Sequence, residues 1–438
     1  MKLRRRRNVA VTGIGMVTPL GHDRDSTWAA LMAGRSGLAE IRSFDASGFP
    51  ARIAAEVKGF DPRRACDTRS LRFAARFTPF ALAAAEEAFV DAGIRPLPAV
   101  AERWGLVTGT GMMTSEVDFL HRVQKTYAPT GVFDTAEMGR DGTRVFSAVE
   151  FAQQQMNSTL AHLLRRYGIM GYTASVHTAC ASGGQALGLA MKAIRRGDAD
   201  FVLAGGFDSM INPMGLGSFC LLGALSTDNE TPERASRPFD LTRAGFVLGE
   251  GAAFLVLEEW RHARDRGARI YAELAGEGNT LSSYRITDSH PSGDGAIQAL
   301  RMCLGDAKES IETVDYINAH GTSTKMNDIS ETNAIKAIFG PRAPEIPTSS
   351  TKSQMGHLIA AAGAVEGAIC ALAIQRSTIP MTANRRVPDP ECDLDYVVEG
   401  PREKPLRTVI SNSFGFGGSN SCILFRSPAH AEARMGHA

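Results

Sequence analysis

The feature that most constrains this chain is a recurring unit: a short β-rich run that turns, through glycine, into an apolar helix. Residues 174–178 lead into a helix over 184–196. Residues 314–318 precede one over 329–339, and residues 347–351 precede one over 358–375. Further β-rich runs lie at 8–12, 104–110, 201–205, 251–258, 269–276, 408–411 and 421–425, with helical spacing at 27–37, 74–93, 153–167 and 294–304. Strands alternating with helices through tight glycine turns predict a mostly parallel α/β architecture, and 44 glycines suit such turns. Residues 118–149, with Pro129, Gly131, Gly139 and Gly142, read as a long loop with short helical pieces. The units around Cys180 and Lys352 correspond, which predicts an internal duplication with its seam near residue 260: halves 1–260 and 261–438.

Composition narrows the function. The chain has 438 residues, 44% hydrophobic and 22% charged, and a net charge of +1, so no global field draws it to nucleic acid or a membrane. Cys66, Cys180, Cys220, Cys303, Cys370, Cys392 and Cys422 are odd in number and scattered, which fits neither a disulfide framework nor a zinc site and points to a reducing cytoplasm. The opening basic run, Arg4 to Arg7, is followed by a β-rich run rather than an apolar stretch and reads as a solvated tail, not a signal peptide. No window of about 18 uninterrupted apolar residues is present to span a membrane.

Four elements carry candidate chemistry. Cys180 sits where a β-run becomes a helix; the free N–H groups and partial positive charge there would lower a thiol's pKa and hold an oxyanion. The same position also suits a buried structural thiol. His320 ends the 314–318 run, where sites gather in parallel sheets, and Thr322 and Thr324 follow on one side of an extended loop; a capping turn with a surface histidine is the alternative. His357, in Lys352-Ser-Gln-Met-Gly-His357, opens a third helix, whose dipole favours a neutral imidazole able to donate a hydrogen bond. Lys352 and Glu366 are the charges near that helix start and pair, whether for chemistry or for structure. Asn412-Ser-Phe-Gly-Phe-Gly-Gly-Ser-Asn420 is a glycine loop bearing Phe414 and Phe416, either a gate or a tight hairpin turn. Gly13-Ile-Gly15 lacks the third glycine of a dinucleotide fingerprint, having Thr18 there, and His177-x-x-Cys180 lacks further metal ligands.

In this order and spacing, Val11-Thr-Gly-Ile-Gly15, Thr178-Ala-Cys180-Ala-Ser-Gly183, Arg237-Pro-Phe-Asp240, Gly245-Phe-Val-Leu-Gly-Glu-Gly251, Asn318-Ala-His320-Gly-Thr-Ser-Thr324, Lys352-Ser-Gln-Met-Gly-His357 and Asn412-Ser-Phe-Gly-Phe-Gly-Gly418 resemble the elongating β-ketoacyl-acyl-carrier-protein synthases of the thiolase superfamily, over residues 7–426. The resemblance implies a duplicated five-layer α-β-α-β-α fold and a decarboxylative Claisen condensation. It implies that Cys180 accepts the acyl chain, that His320 and His357 promote loss of CO2 and stabilise the enolate, and that Lys352 and Glu366 order the histidines. It further implies an oxyanion hole from the N–H groups of Cys180 and Phe416, gating by Phe416, a pantetheine arm on Thr322 and Thr324, and an acyl pocket lined by Met112 and Phe219. No cofactor is implied beyond the carrier's phosphopantetheine. The implied partners are an acyl carrier protein and either a second copy or a chain-length-factor subunit. Arg63, Arg64, Arg69, Arg72 and Arg76 form a basic cluster in which Arg69 and Arg72 match carrier-docking positions; a solvated helix face is the alternative. The 389–396 stretch and Asn327-Asp328-x-x-Glu331 resemble type II polyketide ketosynthases, which favours a polyketide or polyene pathway over a housekeeping fatty-acid homodimer; the intact Cys-His-His set disfavours a non-catalytic chain-length subunit.

Overall fold

The computed structural model describes residues 7–112, 117–285 and 287–436; the basic run Arg4 to Arg6 lies outside them. Among the described residues the main sheet has twelve strands, two of them short and off the main path (Ala39–Glu40 and Ile53–Ala55); the ten on the path are β1 (Val9–Val17), β2 (Trp104–Thr110), β3 (Thr173–Val176), β4 (Phe201–Ser209), β5 (Leu248–Glu259), β6 (Ala272–Leu281), β7 (Val314–Asn318), β8 (Thr348–Ser349), β9 (Thr408–Phe414) and β10 (Ser419–Arg426). Their order is β8-β7-β9-β10-β6-β1-β5-β4-β2-β3. β1 and β6 share only two residue pairs, Ala10 with Glu273 and Val11 with Ala272, so the assembly reads as two five-stranded sheets joined at one edge.

Each sheet has the same wiring. Within β1–β5, the first strand lies antiparallel to the fifth and the fifth to the fourth, while the fourth is parallel to the second and the second to the third. Within β6–β10 the same sequence of pairings recurs. The expectation of a mostly parallel sheet is therefore corrected to a mixed one. Strands buried on both faces carry the same continuous apolar run in either orientation, so the residue pattern does not report direction.

The helices α1 (Thr78–Ala92), α2 (Ser158–Tyr167), α3 (Ser182–Arg196), α4 (Pro213–Leu221), α5 (Asp294–Ala307), α6 (Lys325–Phe339) and α7 (Ala362–Arg376) complete the layers. α3 and α7 pack on each other between the sheets, α1 and α2 cover the outer face of one sheet, and α5 and α6 cover that of the other. Strand side chains divide with period two: on β4, Val202 and Ala204 face the central layer, while Phe201, Leu203 and Phe207 face α1. The result is the five-layer α-β-α-β-α arrangement. The 153–167 run is interrupted by residues 155–157 between helix Ala148–Gln154 and α2. Segment Ile359–Arg376 is long and apolar enough to cross a membrane by composition, but it is the central layer, 89% buried.

The β-rich run at 8–12 extends further than its residues suggest: β1 runs through Gly13 and Gly15 to Val17. Their role is close approach: a Cβ on Gly15 would lie 2.0 Å from the Ala84 carbonyl, and one on Gly13 would lie 2.2 Å from that of Ala88, both on α1. Gly278 does the same against Ala299 on α5 at 2.0 Å.

Candidate active site

Cys180 lies in the tight turn Ala179–Ala181 between β3 and α3, 3% exposed. Ala179 takes a left-handed φ of 48°, a strained conformation for a residue with a Cβ. The Ser182 hydroxyl pins it, donating to the Ala179 carbonyl at 2.7 Å while accepting from Thr178 N–H at 2.8 Å. His320 follows β7; its N–H and that of Gly321 donate to the two oxygens of buried Glu331 at 2.9 and 2.8 Å, and Asn412 Nδ2 donates to the same carboxylate at 3.0 Å. His357 is held by its backbone, with N–H to the Val247 carbonyl at 2.7 Å and C=O accepting from Gly249 at 2.8 Å.

These three elements converge. One reactive atom from each of Cys180, His320 and His357 lies within 4.8 Å of the other two, and all three residues are buried. The imidazoles meet edge to face at 5.3 Å. They line a cavity of about 310 Å³ with Phe246, Thr322, Thr324, Phe414 and Phe416. The Thr322 and Thr324 hydroxyls lie 2.9 Å apart at its side. Phe416 is on the turn between β9 and β10, at 6.1 Å from Phe219 and 6.4 Å from Phe246. Gly417 and Gly418 there have φ of 77° and 80°. The segment is a tight hairpin turn, and Phe414, Gly415, Phe416 and Gly418 line the cavity.

The electrostatics differ from the local expectation at Cys180. Burial pushes the thiol up to about 12, against the Phe416 N–H and the positive charge of Lys352; Asp208 reinforces burial. Complete desolvation outweighs the partial charge of the helix terminus, so the thiol pKa is raised where the sequence predicts it lowered. Burial first, then Lys352, holds both imidazoles well below 6.5, and His357 adds to this for His320. Both are neutral. Ile359 N–H donates to His357 Nδ1 at 3.3 Å, so the His357 proton resides on Nε2, which has no partner among the described residues. Lys352 Nζ bonds Glu366, both buried.

Other sequence-derived candidates lie elsewhere. Phe219, on α4, packs against Phe416 beside Cys180, whereas Met112 lines a separate cavity of about 140 Å³ with Met156 and Ile211. The basic cluster is not uniform. Arg76 makes two 2.6 Å bonds to fully buried Glu250, and Arg63 pairs with Asp61; among the described residues Arg64, Arg69 and Arg72 are exposed and have no ion pair. Three groups escaped sequence reasoning. Glu331 was noted only as part of a pathway signature. Arg243, 7% exposed, holds the Thr324 and Lys325 carbonyls at 3.3 and 3.0 Å and Asp389 at 2.5 Å. Asp208, 1% exposed, lies beneath the Cys180 and His357 turns.

Residues 6–263 match the β-ketoacyl synthase N-terminal domain, and residues 271–386 match the β-ketoacyl synthase C-terminal domain. The chain belongs to the β-ketoacyl synthase family. It is a condensing acyltransferase with the thiolase-like fold. It is 42% identical over 419 residues to 3-oxoacyl-acyl-carrier-protein synthase 2 of Coxiella burnetii, covering 96% of this chain and 98% of that protein. Among solved structures, a type II polyketide ketosynthase in complex with its acyl-carrier protein and bound to the hexaketide superposes with a TM-score of 0.85 at 34% identity, over 97% of this chain and 100% of that one. A chain of the ishigamide ketosynthase/chain length factor gives 0.84 at 34% identity, with the same coverages.

Proposed function

We propose that this protein is the catalytic ketosynthase of a type II polyketide or polyene system, condensing a Cys180-bound acyl chain with malonyl-acyl-carrier protein. The observation that carries it is the buried meeting of one thiol and two neutral imidazoles within 4.8 Å under the Phe416 turn.

In the first half-reaction Cys180 Sγ attacks the thioester of an acyl carrier. His357 already accepts a hydrogen bond at Nδ1 and is a donor only, so His320 takes the thiol proton and returns it to the departing phosphopantetheine thiolate. The Cys180 and Phe416 N–H groups receive the developing oxyanion. In the second, the malonyl carboxylate leaves as CO2 and its bonding electrons form an enolate. The His357 Nε2–H and the His320 N–H donate to the enolate oxygen; neutral donors suit a site where an ammonium, Lys352, already supplies charge. The enolate carbon attacks the Cys180 thioester, the C–S bond breaks, and the thiolate regains a proton from solvent. Thr322 and Thr324 hold the pantetheine amides, and the scheme requires no prosthetic group beyond the substrate's own phosphopantetheine. Arg69 and Arg72 steer an acidic carrier.

The pathway assignment draws on the 34% identity to two type II chains over nearly their whole length, and the partner it suggests is a chain-length-factor subunit. A second reading, fatty-acid elongation by a homodimer, is favoured by the 42% identity to the Coxiella synthase. Intact-mass spectrometry of the protein mixed with a panel of acyl-carrier proteins, alone and with a candidate partner subunit, tests both. An adduct lost in Cys180→Ala supports the nucleophile; short starter acyl groups taken up only with the partner support the polyketide system, and long saturated chains taken up by the protein alone support elongation. No adduct under either condition refutes the condensing role of Cys180.

A further inference from the structure

We propose that Asp208 is a positioning residue for the decarboxylation half-reaction: it clamps the turn after His357 so that Ile359 N–H fixes the His357 tautomer that donates from Nε2. The inference rests on the enolate-stabilising role assigned to His357 above. Asp208 stands near the carboxyl end of β4 with its side chain fully enclosed. Its Oδ2 accepts the Ala360 N–H at 3.0 Å. The residue before, Ile359, has a φ of 47° and donates its own N–H to His357 Nδ1 at 3.3 Å. A left-handed φ in a β-branched residue costs energy and persists only where its surroundings impose it. The Asp208 carboxylate imposes it here, from a different strand and across the central layer.

The chain makes room for this carboxylate at a cost. Among the described residues no charged group opposes its burial, which pushes the carboxyl up to about 7, and none hydrogen-bonds its Oδ1. A buried acid so poorly compensated weakens the fold; it accepts from the Ser209 and Ala360 N–H groups, and the Ala360 bond leads directly to the imidazole. Gly111 is part of the arrangement: a Cβ there would lie 2.2 Å from Asp208 Oδ2. Without the acceptor, the Ala360 N–H is buried unpaired, the turn relaxes toward the right-handed region, and the Ile359 N–H leaves Nδ1. His357 then exchanges between tautomers, one of which presents a bare nitrogen to the enolate oxygen.

The test separates the two half-reactions. Acylation of Cys180 by acyl-carrier protein is followed by intact mass, and CO2 release from malonyl-carrier protein is followed on the pre-acylated enzyme. In Asp208→Ala, acylation stays within about twofold of wild type while decarboxylation falls roughly ten- to a hundredfold, the scale of a misplaced catalytic group. Asp208→Asn keeps an acceptor and stays within about threefold in both. Gly111→Ala, which crowds the carboxylate without removing it, shows the same selective loss as Asp208→Ala. The proposal is overturned if both half-reactions fall together in Asp208→Ala, if decarboxylation survives in both Asp208→Ala and Gly111→Ala, or if Asp208→Asn is as impaired as Asp208→Ala. Failure of the wild-type protein to acylate or to release CO2 would instead overturn the functional reading beneath it.

Discussion

Replacing Lys352 by methionine should destabilise the protein in a way that grows with pH. Glu366 is 2% exposed, and among the described residues its Oε2 has no partner and only Lys352, by charge and hydrogen bond, opposes the burial that raises its carboxyl from 4.5 to about 7. A group raised in the folded state stabilises at low pH and loses that contribution as pH climbs from its unfolded to its folded value. In the wild type this loss is complete just above pH 7. In Lys352→Met nothing opposes burial, the folded value moves higher, and the loss continues at about 1.4 kcal/mol per unit. Between pH 7 and 9 the gap to wild type should therefore widen by about 3 kcal/mol, in line with the 3–5 kcal/mol typical of breaking a buried pair. For a chain of 438 residues, with unfolding entropy near 0.9 kcal/mol/K, that is a Tm shift of about 3 °C. Lys352→Met/Glu366→Gln removes both charges and should recover most of it. Thermal melts of the three proteins at pH 7 and 9 are the assay. A gap that does not widen with pH, or a double variant no better than the single, refutes the argument that Lys352 alone carries the Glu366 charge.

Other measurements address the site and its surface. With the Cys180 thiol near 12, alkylation by iodoacetamide should rise about tenfold per unit from pH 7 to 9, in step with the thiolate fraction; a plateau below pH 9 would contradict burial as the dominant influence. Arg69→Glu/Arg72→Glu should raise KM for the carrier several-fold at low salt, with the difference shrinking at high salt. Arg76→Ala should leave that KM unchanged and lower the Tm, since it strands buried Glu250. Zn²⁺ at micromolar levels should block acylation reversibly, because Cys180, His320 and His357 offer soft ligands within 4.8 Å; enzyme acylated beforehand should be protected from metal binding, and EDTA should restore the free form.

What the sequence made legible follows from range. The Cys180 turn, the His320 position and the Lys352–His357 segment are local patterns, a strand handing over to a helix, and each is where the residues placed it. The direction of strands is not local, and neither is burial. The thiol of Cys180 was assigned by its helix terminus, yet the shell that desolvates it comes from Met210 and Ile211 after β4, from α4, from Phe246 and Leu248, from Ile359 before α7 and from the β9–β10 turn. Arg76 was grouped with its sequence neighbours, although its partner, Glu250, lies 174 residues away. Gly13 and Gly15 looked like punctuation because glycine serves both turns and close packing, and only the alanines of α1 distinguish the two. Asp208 reads along the chain as a polar end to an apolar strand; its partner, Ala360, is 152 residues on.

The repeated wiring explains how one buried cavity holds three reactive groups. The turn Ala179–Ala181 before α3 and the turn Ile359–Ala361 before α7 are counterparts: each opens on a left-handed residue, with φ of 48° and 47°, and each leads into a 15-residue helix. Gly183 and Gly363 sit at the same place in the two helices, and each leaves room for the other's backbone, a Cβ on Gly183 falling 2.6 Å from Ala364 N and one on Gly363 falling 2.5 Å from Gly184 N. Counterpart turns are thus brought nose to nose in the central layer. A nucleophile on both would place two thiols where one acyl chain must go; here the counterpart of Cys180 is Ala360, and its turn serves His357 instead. One half supplies the thiol and the other both imidazoles, so the two chemistries are held by separate sheets that share an edge of only two residue pairs. Asp208 is then the expected kind of residue at such a junction, a carboxylate from the thiol's half gripping the turn that serves the histidine of the other.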